Sequence, residues 1–164
     1  MSRETVWQGK FLSVVKDGHW EYAERPGGIG AAVIVAIHDG HLLLIEQRRI
    51  PAGRVCLELP AGLVGDEGAP ESAVTAAARE LEEETGYRAA HVEELGSFYS
   101  SPGLTSESFT IVRATGLTRV GDGEEGITLH RVPLAEVPGF IDAKRAEGLG
   151  IDAKLLLFVG GGLS

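Results

Sequence analysis

The sequence predicts an α/β layered fold, strands flanked on both sides by helices, and three observations carry that prediction. Residues 29–37 and 42–45 are nearly all apolar, rich in β-branched side chains, and separated by Asp39-Gly40. A segment from Pro70 to Thr85 has helical spacing and is bracketed by Pro and Gly. Further strand-like runs follow it, and two helical stretches close the chain, so helical and extended segments alternate around one apolar centre.

Taken in order, residues 10–15 and 19–24 read as short strands around Asp17-Gly18, a tight-hairpin dipeptide. A two-stranded hairpin is marginal alone and must pack on something. Pro26-Gly27-Gly28 marks a boundary. The next two strands are the apolar runs already named, and His38 and His41 flank their turn as surface residues. Residues 57–59 predict a short strand leading to the helix. Pro70 suits the first helical position and Gly86 the left-handed position past the last. Val74, Ala77, Ala78 and Leu81 form the core-facing stripe, with Glu80, Glu83 and Glu84 on another face. Beyond the helix, residues 91–99, 107–114 and 127–132 read as strands, the first two separated by Ser100-Ser101-Pro102-Gly103. Residues 134–147 and 151–159 read as helices, the first weakened at its start by Pro138-Gly139.

Composition narrows the function. The 164 residues, 43% hydrophobic and 24% charged, fit one globular domain with room for a small appended element, and leave no room for a fusion of two enzymes. No apolar run approaches the roughly 20 residues of a membrane span. The N-terminal MSRETVWQGK lacks a signal-type stretch, so a cytoplasmic protein is expected. Cys56, the single cysteine, excludes an intrachain disulfide and reads as a small core residue rather than a nucleophile. A net charge of −9 with no Lys/Arg cluster argues against nucleic acid, and it disfavours an anionic substrate unless cations screen it.

The strongest signal is Gly65 to Tyr87, which spells G-x5-E-x7-R-E-U-x-E-E-x-G-U, U being aliphatic or aromatic, without a mismatch. Composition alone gives a chance match on the order of 10⁻⁵ per chain. Spacings of three and four residues stack Glu80, Glu83 and Glu84 within a turn, where they repel unless something positive sits among them. A hard divalent cation answers that need: Mg²⁺ takes oxygen ligands, keeps several waters, and is shared between a few carboxylates and substrate phosphates.

This pattern resembles the signature of the Nudix hydrolases, which cleave nucleoside diphosphates linked to another group with the help of Mg²⁺ or a similar ion. The resemblance implies a Nudix-type α/β/α sandwich with a mixed sheet over about residues 28–159, Mg²⁺ as cofactor with Mn²⁺ able to substitute, Glu80 and Glu84 as main metal ligands, and Glu83 as a catalytic residue that also contributes to the metal site directly or through water. It further implies an ion pair of Glu71 with Arg79 bracing the loop, and Gly65 and Gly86 as structural glycines. In the family the Gly of a Pro-Ala-Gly usually begins the motif. Here Pro60-Ala61-Gly62 lies three residues upstream of Gly65, so either Gly65 is the motif glycine or the loop carries a three-residue insertion. The backbone carbonyl of Ala61 is the remaining implied ligand.

A closer likeness is to the ADP-ribose pyrophosphatase group, on Ser101-Pro102-Gly103-Leu104-Thr105-Ser106-Glu107, on Glu46-Gln47-Arg48-Arg49, and on an N-terminal β element ending like Ala23-Glu24-Arg25. It implies Mg²⁺-dependent hydrolysis of ADP-ribose to AMP and ribose 5-phosphate, with other nucleoside diphosphate sugars as the alternative. A triphosphate pyrophosphohydrolase or a silent nucleotide-sugar sensor stands further off. Within this reading Glu107 is the candidate general base, Arg49 grips phosphate oxygens, and Glu58 is a further carboxylate of the site. Residues 1–27 would form a dimerising β element whose Glu24 or Arg25 reaches the partner's site, and residues 28–164 the catalytic domain of a homodimer.

Overall fold

The computed structural model describes residues 2–65 and 71–161. The chain opens with β1 (Arg3–Gln8), β2 (Ser13–Asp17) and β3 (Trp20–Glu24), a three-stranded antiparallel sheet in that order. The expected hairpin is therefore β2–β3, and β1 is an addition to it. All six residues of β1 are exposed, so no burial-driven alternation marked it in the sequence.

A single 3-10 turn at Pro26–Gly28 leads to β4 (Ala31–His38) and β5 (His41–Arg49). Their turn has Asp39 at φ 49 and Gly40 at φ 73, the double left-handed geometry that suits the right-handed twist of a hairpin. Then come β6 (Arg54–Glu58), β7 (Ala61–Leu63), α1 (Ala73–Thr85), β8 (Tyr87–Arg88), β9 (His91–Tyr99), β10 (Ser108–Thr115), β11 (Thr118–Arg119) and β12 (Thr128–Pro133). One 3-10 turn at Leu134–Glu136 precedes α2 (Val137–Ala146), and β13 (Gly150–Ile151) precedes α3 (Ala153–Gly161). Pro138-Gly139 thus trims the first C-terminal helix by one turn without preventing it, because Pro is tolerated in a helix's first turn.

Eight strands form one mixed sheet in the order β13-β6-β5-β4-β10-β9, with β12 added on β5 and β7 on β4. β4 runs parallel to β10 over Ala31–Ala36 and antiparallel to the short β7, while its last two residues pair with β5. β5 is the longest-reaching element. Its first half pairs with β12 and its second half with β6, which carries Arg49 out of the core to a rim.

Period-2 alternation along β4 divides the interior into two cores. Val33 and Val35 join Leu44, Leu57, Ile141, Leu155 and Phe158 beneath α2 and α3. Ala32, Ile34 and Ala36 face Ala76, Ala77 and Leu81 of α1. Small residues on both partners there let the helix lie close to the sheet. The expected α/β/α sandwich follows, because each sheet face buries its apolar row under its own helix layer.

Candidate active site

α1 begins at Ala73, not Pro70. Ser72, with extended backbone, caps it by accepting the Thr75 N–H at 3.1 Å, and the position of Pro70 lies outside the described residues. Gly86 ends it at φ 72, as expected, and a side chain there would run into the Gly121 carbonyl. The core stripe is Ala76, Ala77 and Leu81, continued by Glu84 at the next turn, while Val74 and Ala78 are only half-buried. The expectation that Glu80, Glu83 and Glu84 share one face is therefore corrected. Glu84 lies on the buried stripe and is 5% exposed, whereas Glu83 is turned outward.

Each acid has a distinct environment. The Glu84 carboxylate accepts the Ala61 N–H at 3.0 Å. Burial pushes its carboxyl up to about 7, opposed by that N–H and reinforced by the neighbouring charge of Glu80. Glu80 lies against Gly62, where any Cβ would overlap its carboxylate. Arg79 holds the other side: it reaches Glu80 at 2.9 Å, Glu83 at 3.1 Å and Glu71 at 3.5 Å. The positive charge that the stacked acids demand is thus partly Arg79 itself. The expected Glu71–Arg79 pair is present, and Glu71 also accepts the Gly65 N–H at 3.3 Å. Both glycines have work: Gly65 sits at φ 80, and Gly62 provides the close approach to Glu80.

The Ala61–Leu63 strand, β5, β6, β10 and the β13–α3 junction surround a cleft of about 610 Å³. Arg49 and Glu58 line it as a bidentate pair at 2.8 and 2.7 Å, Glu58 being only 5% exposed. That pairing is the foremost reason the Arg49 guanidinium is held more firmly charged than usual, and Glu84 and Asp152 add to it. Across the cleft, Glu107 accepts from Arg25 at 2.9 Å and from the Ser100 hydroxyl at 3.4 Å. Arg25 therefore faces this chain's own cleft. Glu24 does not line it; Arg3 holds Glu24 at 2.5 and 2.7 Å. Pro102 lies in a separate groove of about 580 Å³ against Trp20 and Tyr22.

The fold brings Arg49, Glu58, Ala61 and Glu107, all singled out in the sequence, to one cleft together with Arg25, which was expected at the partner's site instead, and Glu84 is bonded to the Ala61 backbone that forms the cleft wall. Sequence reading missed Ser100, Phe109, Asp152 and Lys154, which also line the space. Cys56 is buried at its base, and burial raises its thiol above the ordinary range, as a core cysteine requires.

Hard oxygen donors suit Mg²⁺, and the fit is testable on Glu84 and Glu80: one carboxylate is desolvated with a single N–H partner, the other is packed on a glycine backbone. Among the described residues no three His, Cys, Asp or Glu side chains converge into a ready-made cage. Glu58 and Glu83 are turned to arginines. A Mg²⁺ site needs only one or two carboxylates when waters and substrate phosphates complete the shell, so the donor set fits.

The fold and this acid-lined cleft define a pyrophosphohydrolase of the Nudix kind. The NUDIX domain profile matches residues 28–153, and the chain belongs to the Nudix family. It is 34% identical to the ADP-ribose pyrophosphatase of Mycobacterium tuberculosis, over 83% of this chain and 70% of that protein. To the ADP-sugar pyrophosphatase of Mus musculus it is 33% identical, over 96% of this chain and 84% of the other. A crystal structure of an ADP compounds hydrolase superposes with a TM-score of 0.70 at 29% identity, covering 87% of this chain and 81% of that one. Among the described residues no helix is long and apolar enough to cross a membrane.

Proposed function

We propose that this enzyme hydrolyses the pyrophosphate bond of ADP-ribose to AMP and ribose 5-phosphate with Mg²⁺ as cofactor. The observation that carries the reading is the cleft lined by Arg25, Arg49 and the Ala61–Gly62 strand, with Glu84 and Glu80 held on that strand: cations for the diphosphate stand near oxygen ligands for a metal. Glu80, Glu84 and the Ala61 backbone would hold the ion, which when bound neutralises phosphate charge and supplies a more acidic water. Arg49, prepositioned by Glu58, grips phosphate oxygens through its fork of donors. Arg25 does the same from the opposite wall. Water adds to one phosphorus, the bridging oxygen leaves with the other phosphate, and a base must take the water's proton. Glu107 is our candidate. In the resting geometry it is bound to Arg25, so it accepts a proton only after Arg25 turns to the substrate. Glu107→Gln should lower kcat with KM nearly unchanged. If only KM rises, Glu107 merely positions Arg25.

Other nucleoside diphosphate sugars are the second reading, because the mouse relative is an ADP-sugar pyrophosphatase and the diphosphate machinery is common to all of them. We further propose a homodimer through the N-terminal sheet, whose Trp7, Phe11 and Trp20 are more than half exposed. Light scattering of the whole chain should give twice the monomer mass, and a monomer at micromolar concentration refutes it.

The substrate test is a panel of kcat/KM values for ADP-ribose, UDP-glucose, GDP-mannose and dGTP at one Mg²⁺ concentration. ADP-ribose should lead by about tenfold. A hexose diphosphate in first place would select the second reading, and dGTP in first place would overturn both.

A further inference from the structure

Among the described residues the cations lining the cleft are Arg25, Arg49 and Lys154, and each holds a carboxylate that also lines it: Glu107, Glu58 and Asp152 respectively. The first two pairs follow from residues that the sequence singled out. The third comes from the β13–α3 junction, which no motif marked. Asp152 ends β13 by donating its N–H to the Leu57 carbonyl at 3.1 Å, and its carboxylate accepts the Lys154 N–H at 2.9 Å. The strand pairing of β13 with β6 thereby fixes Lys154 beside the wall that carries Cys56 and Glu58.

Lys154 stands in an electrostatically unfavourable place, within the first turn of α3, where the helix dipole repels a cation. Its Nζ is 2.6 Å from Asp152 and 5.7 Å from the centre of the Phe109 ring. Phe109 is itself buried and stacked on Phe98, so the ammonium stem is supported by a fixed wall. Arg49 lines the same cleft, and the Asp152 charge adds to what holds its guanidinium protonated. A chain of net charge −9 does not need a lysine there for solubility. A dianionic ligand would.

We infer that Lys154 is a substrate-binding residue of this cleft that transfers from Asp152 to a diphosphate oxygen when substrate enters, sharing the diphosphate with Arg49. Asp152 is the resting partner that keeps the ammonium aimed into the space, so it is a positioning residue. The inference rests on the nucleoside-diphosphate reading above but not on which sugar is carried, since the contact is to the part common to all such substrates.

The test compares Lys154→Met with Asp152→Asn, using calorimetric binding of ADP and of inorganic pyrophosphate in the presence of Mg²⁺, with thermal melting alongside. A lost charge-assisted hydrogen bond should weaken ADP and pyrophosphate binding about tenfold or more in Lys154→Met, and raise KM for every nucleoside diphosphate sugar alike while their ranking stays the same. Asp152→Asn releases the ammonium and should leave ADP binding equal or tighter. A pair that serves only to brace the β13–α3 junction behaves differently: both variants would melt lower by similar amounts, and both would bind ADP within twofold of wild type, which overturns the inference. A change in substrate ranking without loss of pyrophosphate binding also overturns it, because Lys154 would then contact the sugar. Failure of the wild type to bind either probe would instead bring down the diphosphate reading itself.

Discussion

The two sides of α1 carry neighbouring acids of one motif and treat them oppositely. On the outer side Glu83 is half exposed and joined to Arg79, an i, i+4 pair worth a few tenths of a kcal/mol in solvent. On the inner side Glu84 is 5% exposed, continues the stripe of Ala77 and Leu81, and accepts the Ala61 N–H. A carboxylate placed where a leucine would stabilise the fold indicates that stability was given up for chemistry. Adjacent letters of a signature need not share a role: a rotation of 100° about the helix separates an ion-pairing surface residue from a buried carboxylate.

The sharpest way to break this contrast is substitution. Glu84→Gln should reduce kcat by about 10²-fold or more while the fold persists, since the amide keeps the shape and loses the charge. Glu83→Gln should cost several-fold at most. Steady-state kinetics at saturating Mg²⁺ measures both, and equal losses would erase the distinction.

A second expectation concerns pH. Glu84 has a folded-state value of about 7 against 4.5 for an ordinary glutamate, so the folded protein holds the proton more tightly than the unfolded chain. The sign follows: its destabilising contribution is absent below about pH 4.5, grows as pH rises, and is complete above about pH 7, with about 3 kcal/mol as an upper bound. Metal-free wild type should therefore lose stability relative to Glu84→Gln between those limits in denaturant titrations. Added Mg²⁺ should narrow the gap at high pH. A gap that stays constant with pH would show that Glu84 is not desolvated.

A smaller loss than that of Glu84→Gln is expected from Gly62→Ala. The new methyl must displace the Glu80 carboxylate, and with it one proposed ligand, so kcat/KM should fall about tenfold at limiting Mg²⁺ and partly recover at high Mg²⁺. Unchanged Mg²⁺ dependence would argue that Glu80 serves Arg79 rather than the ion.

How much of this was legible beforehand depended on what drives each element. β9 was readable to the residue, and β4 to within two because its long apolar, β-branched run is set by burial. β7 was not readable: Pro60-Ala61-Gly62 looks like a turn, and only pairing with Ala31–Val33 makes it a strand. The helix start was displaced because Pro70 and Ser72 are both good initiators, and the hydroxyl cap took the position. Its buried face was offset since alanines at 76, 77 and 78 give the pattern little contrast. Among site residues, Arg49, Glu58 and Glu107 could be found from local motifs. Asp152 and Lys154 could not, because their place in the cleft arises from a two-residue parallel strand pairing far from the signature.

One last feature joins the exposed sheet to the chemistry. The Ala23 N–H donates to the Leu104 carbonyl at 3.0 Å, and the Ala23 carbonyl accepts the Ser106 N–H at 3.0 Å, so β3 and the segment preceding Glu107 are sewn together by main-chain bonds. β3 works as a splint. Any outward swing of the Glu107 wall must either carry the N-terminal sheet with it or break two backbone hydrogen bonds, at a cost of about 1–3 kcal/mol. The sheet that covers almost no core of its own is therefore a mechanical part of the cleft's rim, and strain applied to it will be felt at Arg25 and Glu107.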